Sequence, residues 1–132
     1  MYASVNLKER YKHDYISTAS PVDLIIMLYE GCIKKIKLAQ IYLESGSFEE
    51  TSNSLKGAQD IIVELMNSLD MSFEISKDLL RLYDFMLNEL VNMNVKKDFA
   101  TAPDVLDMLV SLKNAWCEAK QNSETSMVCE QY

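Results

Sequence analysis

Residues that break regular structure are scarce in this chain, whose 132 residues include 3 glycines and 2 prolines. Sandwiches and barrels need frequent turns, and glycine and proline supply many of them, so this composition argues against both architectures. Apolar residues make up 48% of the chain, enough to build one core at a length that predicts a single domain. Few turns and many apolar residues together favour a small number of long helices.

Histidine occurs once, at His13, which argues against metal chemistry. A di-iron site in a helical bundle needs Glu-x-x-His pairs on facing helices. The sequence also argues against a zinc site, because Cys117 and Cys129 are far apart and have no histidine partners. The three cysteines, with Cys32 as the third, are odd in number and widely spaced, which indicates reduced thiols and a reducing compartment. We predict no metal and no cofactor.

Positive charge is also in deficit, since the net charge is −7. An acidic chain lacks the field that attracts phosphate backbones, so we predict no nucleic-acid partner. The longest run without a charged side chain extends only from Tyr15 to Val22, well short of the ~20 residues that span a bilayer. The first residues do not resemble a signal peptide. We therefore expect a soluble, cytoplasmic protein without membrane insertion.

Groups that could carry out catalysis are missing as well. Cys32 would need an adjacent base to act as a nucleophile, and His13 is the one imidazole. The scattered glycines cannot form a phosphate-binding loop. No carboxylate falls within an apolar stripe, so we expect none with a raised pKa. We predict no catalytic residue and no enzymatic activity.

Helical spacing of apolar residues recurs in four segments. The first starts at Ser20-Pro21 with Asp23 as the second half of a capping box, and Gly46 is its expected stop. The others are expected at about 48–69, from Ser76 to Met93, and from Thr101 onward. The predicted core positions are Leu24, Ile25, Leu28, Tyr29, Cys32, Ile33, Ile36, Ala39 and Leu43, then Leu55, Ala58, Ile62, Leu65 and Leu69, then Leu79, Leu82, Tyr83, Met86, Leu90 and Met93, then Val105, Leu109, Leu112, Trp116 and Ala119.

Four amphipathic helices with short connections predict an all-α fold, an antiparallel up-down four-helix bundle. We expect the bundle at residues 20–120, a flexible N-terminal segment at 1–19 and a disordered tail at 121–132. Gly31 in the first helix is predicted to allow a close approach by a neighbouring helix. Eight methionines, several of them on or beside apolar faces, suit an adaptable surface that binds another protein.

Four blocks of sequence then point to a family. The first is Tyr11-x4-Ile16-x-Thr18-Ala19-Ser20-Pro21-x2-Leu24-Ile25-x-Met27-Leu28-Tyr29-x-Gly31, and the others are KGAQDIIVEL from Lys56, LLRLYDFMLNEL from Leu79 and DMLVSLKNAW from Asp107. In this order and spacing, over residues 11–120, the chain resembles the FliS family of flagellar secretion chaperones. Asp14 stands where the family pattern often has Asn.

The resemblance implies a bacterial cytoplasmic four-helix chaperone that works without nucleotide or metal. Such proteins bind the C-terminal segment of flagellin, prevent its premature polymerisation and support its delivery to the flagellar type III export apparatus. Export-gate components or a co-chaperone are further candidate partners. The family's N-terminal segment lies near the client site and can shield it, which by position points to Tyr11 and Ile16, with Thr18, Ala19, Ser20 and Pro21 as a hinge.

Four more residues are candidates for flagellin contact because we expect them to lean outward from their helices: Ile61, Met66, Leu80 and Val110. Ordinary core packing is the competing interpretation for each of them. Two other hypotheses for the protein remain open at this point. One is a structural or regulatory bundle with a different protein partner, and the other is an enzyme built around Cys32.

Overall fold

The computed structural model describes residues 21–123, which form four α-helices and no β-strand. Helix α1 spans Pro21–Glu44, α2 spans Phe48–Asn67, α3 spans Glu74–Lys96 and α4 spans Ala102–Ser123. The all-α class and the four-helix bundle are thereby confirmed. Residues 1–20 and 124–132 lie outside the described part of the chain. The predicted N-terminal segment with Tyr11, Ile16, Thr18, Ala19 and Ser20, and most of the predicted tail, therefore fall outside it.

Helix α1 ends where the sequence predicted. Gly46 has a positive φ of 78°, a conformation that glycine adopts without a steric penalty. Its N–H donates to the carbonyl of Leu43 (3.0 Å), and the Ser47 N–H donates to the carbonyl of Tyr42 (2.8 Å). This pair of bonds is a Schellman motif, which satisfies the last carbonyls of the helix.

Helix α3 is longer at both ends than its apolar spacing predicted. At its start, the Ser76 hydroxyl donates to the backbone carbonyl of Asp70 (2.6 Å), which ties the preceding loop to the first turn. At its end, Lys97 takes a left-handed φ of 51° and caps the helix through its N–H on the Met93 carbonyl. Non-glycine residues in this conformation cost about 1–2 kcal/mol, and Lys97 Nζ offsets part of that by donating to the Asn94 carbonyl (2.6 Å).

The predicted core is largely buried, with three corrections. Ile26 is fully buried beside Cys117 of α4, whereas Leu24 is partly exposed. Leu82 and Ala119 are exposed. Ile61, which we expected to lean outward, is only 1% exposed and belongs to the core. The common reason is that α1 and α2 make the more extensive contacts with their neighbours, so their buried surfaces are wider than one stripe, while α3 and α4 barely contact each other and each have a less covered flank.

The helices are arranged around α1. It packs extensively against α2 and also against α4, and α2 packs against α3, whereas α3 and α4 make the smallest interface of these pairs. In an up-down bundle the first turns of α1 and α3 share one end with the last turns of α2 and α4. The weak contact between α3 and α4 leaves room for a groove at this end.

Charged groups are buried where we expected none. Asp23, in the first turn of α1, and Glu64 of α2 are both buried, which corrects the prediction that no carboxylate falls inside the apolar faces. Asp23 Oδ1 accepts a hydrogen bond from Lys120 Nζ of α4. A buried carboxylate is tolerated when it is paired in this way, so Asp23 joins two helices rather than serving only its own helix start.

None of the helices within residues 21–123 has a stretch long and apolar enough to cross a bilayer.

Candidate functional site

An apolar groove of about 480 Å³ opens between α3 and α4 at the end of the bundle where α1 begins. We call it the α3–α4 groove. Its lining consists of Ile25 from α1, Ser68 and Leu69 after α2, Asp70 and Phe73 from the following loop, Ile75, Ser76, Leu79 and Tyr83 from α3, and Leu112, Ala115, Trp116 and Ala119 from α4. The volume is within the range of pockets that bind small ligands or a few large side chains.

Small side chains keep the groove open. Ala115 and Ala119 lie four residues apart on α4, and both line the groove. Neither side chain is large enough to reach across to the facing helix, so the space between the helices stays unfilled. The result is an apolar concavity at the surface, of the kind that binds partners.

The loop between α2 and α3 forms the edge of the groove and is held by Asp70. Its Oδ1 accepts hydrogen bonds from the backbone N–H of Ser72 (3.0 Å) and from the Ser72 hydroxyl (2.6 Å). These two bonds form an Asx turn and hold the pKa of the Asp70 carboxyl below its usual value. The turn places Phe73 and Ile75, both largely exposed, at the mouth of the groove.

The aromatic side chains of Tyr83 and Trp116 form the inner wall of the groove. The Trp116 indole Nε1–H donates to the Tyr29 hydroxyl oxygen (3.2 Å), and the hydroxyls of Tyr29 and Tyr83 hydrogen-bond to each other. Burial raises the pKa of Tyr29 far above its ordinary value and raises that of Tyr83 as well. Both hydroxyls therefore stay protonated, and the wall shows mainly carbon to the groove.

An apolar strip continues from the groove along α3, formed by Ile75, Leu82 and Phe85. At 3.6 residues per turn, Leu82 and Phe85 lie on the side of α3 turned away from Asn94. Asn94 Nδ2 donates to the backbone carbonyl of Ser52 in α2 (3.4 Å), so it marks the flank that faces α2. The strip therefore lies on the flank toward α4, and it is exposed.

The structure does not bring the sequence-predicted contact residues together at this groove. Met66 packs against the core from the surface, and Leu80 is partly buried on the α2 side of α3. Val110 is exposed on the α1 side of α4, the side that also carries Cys117. Ile61 is inside the core. Contact of the partly exposed residues with a client remains a prediction.

Sequence reasoning missed the groove because its lining looked like ordinary core. Leu79, Tyr83, Leu112 and Trp116 were expected to pack inward; Tyr83 does so fully and the other three do so in part. The available signal was the pair of alanines around Trp116, since small residues on an otherwise bulky stripe leave space on a facing helix. That signal alone does not say which helix is opposite.

Cys32 has neither the exposure nor the pKa of a nucleophile. Burial raises the pKa of its thiol to about 12, and its Sγ–H donates to the Ala58 carbonyl (3.7 Å). A reactive cysteine needs a lowered pKa and access to solvent. Among residues 21–123 no group of three or more His, Cys, Asp or Glu side chains is placed to hold a metal ion.

Comparison with known proteins gives a consistent result. A family model described as "Flagellar protein FliS" matches residues 4–123. A Bacillus subtilis (strain 168) protein named flagellar secretion chaperone FliS is 35% identical over 112 residues, which is 85% of this chain and 84% of that protein. The Vibrio cholerae chaperone of the same name is 33% identical, covering 76% of each chain. The Salmonella typhimurium one is 30% identical, covering 87% of this chain and 84% of its own length.

Proposed function

This chain belongs to the FliS family, and on that premise we propose that it is an export chaperone for flagellin. It binds the C-terminal segment of newly made flagellin in the bacterial cytoplasm, prevents premature polymerisation and supports delivery to the flagellar type III export apparatus. The observation that carries this proposal is the α3–α4 groove, a largely apolar cavity with an exposed apolar strip beside it. An unfolded amphipathic segment needs a surface of this kind to fold against.

The groove and strip together suit an extended client better than a small molecule. Burying one large apolar side chain contributes roughly 1.5–3 kcal/mol, whereas ordering a disordered segment costs about 2–5 kcal/mol. Several client side chains must therefore be buried at once. The groove accommodates a few of them, and Leu82 and Phe85 extend the contact along α3.

The position of the groove also supports a role for the residues that precede Pro21. Ile25, in the early part of α1, lines the groove, and the Asp23–Lys120 ion pair fixes the start of α1 against the end of α4. The start of α1 is therefore next to the groove. We propose that residues 1–19, with Tyr11 and Ile16, cover the groove until the client displaces them, and that Thr18 to Pro21 act as the hinge.

Deletion of residues 1–15 tests the cover. If the segment shields the groove, the shortened protein should bind a flagellin C-terminal fragment faster or more tightly than the full chain. A slower or weaker complex would mean that Tyr11 contacts the client directly.

No nucleotide is required in this scheme, because transfer of the client to the export apparatus can drive release. Components of the export gate, or a co-chaperone, would then be the next partners. A pull-down from flagellated cells in which flagellin is not a main partner would favour a different client for the bundle.

Calorimetric titration with the flagellin C-terminal fragment tests the proposal directly. The full chain should form a 1:1 complex, and Ala115→Glu, which puts a charge into the groove, should weaken it by at least about tenfold, since an unpaired charge in an apolar site is strongly unfavourable. Asn114→Glu is the matched control, because Asn114 is the exposed neighbour that does not line the groove. Absence of binding at tens of micromolar by the full chain would refute the proposal.

A further inference from the structure

The polar ends of the two wall residues point away from the groove and converge on one hydroxyl. Trp116 donates its indole N–H to Tyr29, and Tyr83 shares a hydroxyl–hydroxyl hydrogen bond with the same Tyr29. Tyr29 is fully buried behind the groove lining. It therefore does not touch a molecule in the groove, yet it contacts both residues that do.

The geometry assigns Tyr29 as the positioning residue of the α3–α4 groove: Tyr29 holds Trp116 in the orientation that makes the wall apolar. This inference rests on the proposed function. A tryptophan N–H is a donor with no acceptor capacity, so it must find an oxygen when it is buried. With Tyr29 as acceptor, the N–H turns inward and the carbon edge of the ring faces the groove. Without that acceptor, the ring must turn its N–H toward the water in the groove.

The two tyrosines are not equivalent in this arrangement. The indole donates to Tyr29 and not to Tyr83, and the rings of the two tyrosines are tilted by 48° with centroids 6.4 Å apart. Loss of the Tyr83 hydroxyl leaves the acceptor of Trp116 in place. Loss of the Tyr29 hydroxyl removes it. Tyr29→Phe and Tyr83→Phe therefore delete the same group from the same buried pair, and they differ in what they do to Trp116.

The chain has a single tryptophan, so its indole N–H gives one NMR signal, and its fluorescence reports this wall alone. We expect Tyr29→Phe to speed solvent exchange of that N–H by at least about fivefold, the equivalent of one lost net hydrogen bond. The emission maximum should move to longer wavelength. Tyr83→Phe should leave the exchange rate and the emission close to those of the unsubstituted protein.

The second readout is the Kd for the flagellin C-terminal fragment. If the correct Trp116 orientation is populated only part of the time, the apparent Kd rises by the inverse of that fraction. Tyr29→Phe should then weaken binding by about fivefold, and Tyr83→Phe should weaken it less. Unchanged indole exchange in Tyr29→Phe would overturn the inference, as would equal changes in both variants.

The indole measurement needs no client, which separates this inference from the proposed function. If the full chain fails to bind flagellin but Tyr29→Phe still exposes the indole, the flagellin proposal fails and the positioning of Trp116 by Tyr29 stands. Should Tyr29→Phe not fold, Tyr29→Phe/Tyr83→Phe/Trp116→Phe provides the test, since it removes the indole N–H together with both hydroxyls of the buried pair. It should be at least as stable as Tyr83→Phe/Trp116→Phe, and a triple variant that also fails to fold would refute the role.

Discussion

The ion pair between Asp23 and Lys120 allows a quantitative prediction, because both side chains are only 8% exposed. Removal of one partner from a buried pair typically destabilises a protein by about 3–5 kcal/mol, since the other charge is left uncompensated. Here the charge that remains in each single variant is partly stabilised by a helix dipole. Asp23 lies in the first turn of α1 and Lys120 in the last turn of α4, and the helix dipole stabilises each by about 0.3–1 kcal/mol.

We therefore expect Asp23→Asn and Lys120→Met each to lower the free energy of unfolding by about 2–4 kcal/mol. The double variant should be less destabilised than the sum of the two, with a coupling energy of at least about 1.5 kcal/mol. Urea unfolding followed by far-UV circular dichroism measures all four proteins, and the slope of free energy against urea should not change.

The salt dependence of the coupling energy distinguishes a buried ion pair from an exposed one. The pair Lys77–Glu74 on α3 is exposed, with side-chain exposures of 56% and 92%, and its coupling should be small and should fall further in about 1 M salt. The coupling between Asp23 and Lys120 should persist. Single variants that lose less than about 0.5 kcal/mol each, with additive effects, would contradict this prediction, because they would show that the pair behaves as a surface contact.

Three further predictions concern single residues. Ile61→Ala should lower the free energy of unfolding by about 2–5 kcal/mol, as expected for a core isoleucine, and it should leave the Kd for flagellin unchanged. A weaker complex at unchanged stability would instead support the flagellin contact that the sequence suggested. Contrary to the expectation that no carboxylate has a raised pKa, partial burial raises the pKa of Glu30 against the opposing effect of Lys113 and Lys34. Its contribution to stability is therefore fully present at low pH and is lost as pH rises through the folded-state pKa. In urea titrations, Glu30→Gln should therefore be more stable than the unsubstituted protein at pH 7, and the difference in free energy of unfolding should shrink below about pH 4. A difference that does not depend on pH would contradict this. Cys32 can be tested alone in a variant whose other two cysteines are replaced by serine. Its thiol should react with iodoacetamide at pH 8 about a thousandfold more slowly in the folded than in the unfolded protein, because its pKa is about 12 instead of about 8.5. Comparable rates would show that the thiol is accessible.

Much of the fold was predictable because helix formation is governed by local sequence. The Gly46 stop and the buried series Leu55, Ala58, Ile62 and Leu65 in α2 follow from turn chemistry and 3.6-residue spacing. The errors occurred at the flanks of the stripes. Leu82 fits the inward spacing of α3 and yet is exposed, because no helix covers that flank.

The candidate site was much less predictable. Met66, Leu80 and Val110 were predicted because they were expected to lean outward from their helices, but the groove lies on another flank, between α3 and α4. The spacing of residues along one helix places them on faces without saying what each face meets. Only the packing of all four helices decides which face is left open.

The four helices, the class of fold and the family blocks follow from the amino-acid sequence, because each depends on neighbours within a few turns or on a pattern that can be read in order. The remaining features depend on how the helices pack. Asp23 and Lys120 are 97 residues apart in sequence and Tyr29 and Trp116 are 87 apart, and nothing in the spacing along the chain pairs them. These contacts, and the groove beside them, exist because α1 and α4 pack together while α3 and α4 stay apart. That difference arises from how side-chain volumes fill the space between helices, which depends on all four helices at once.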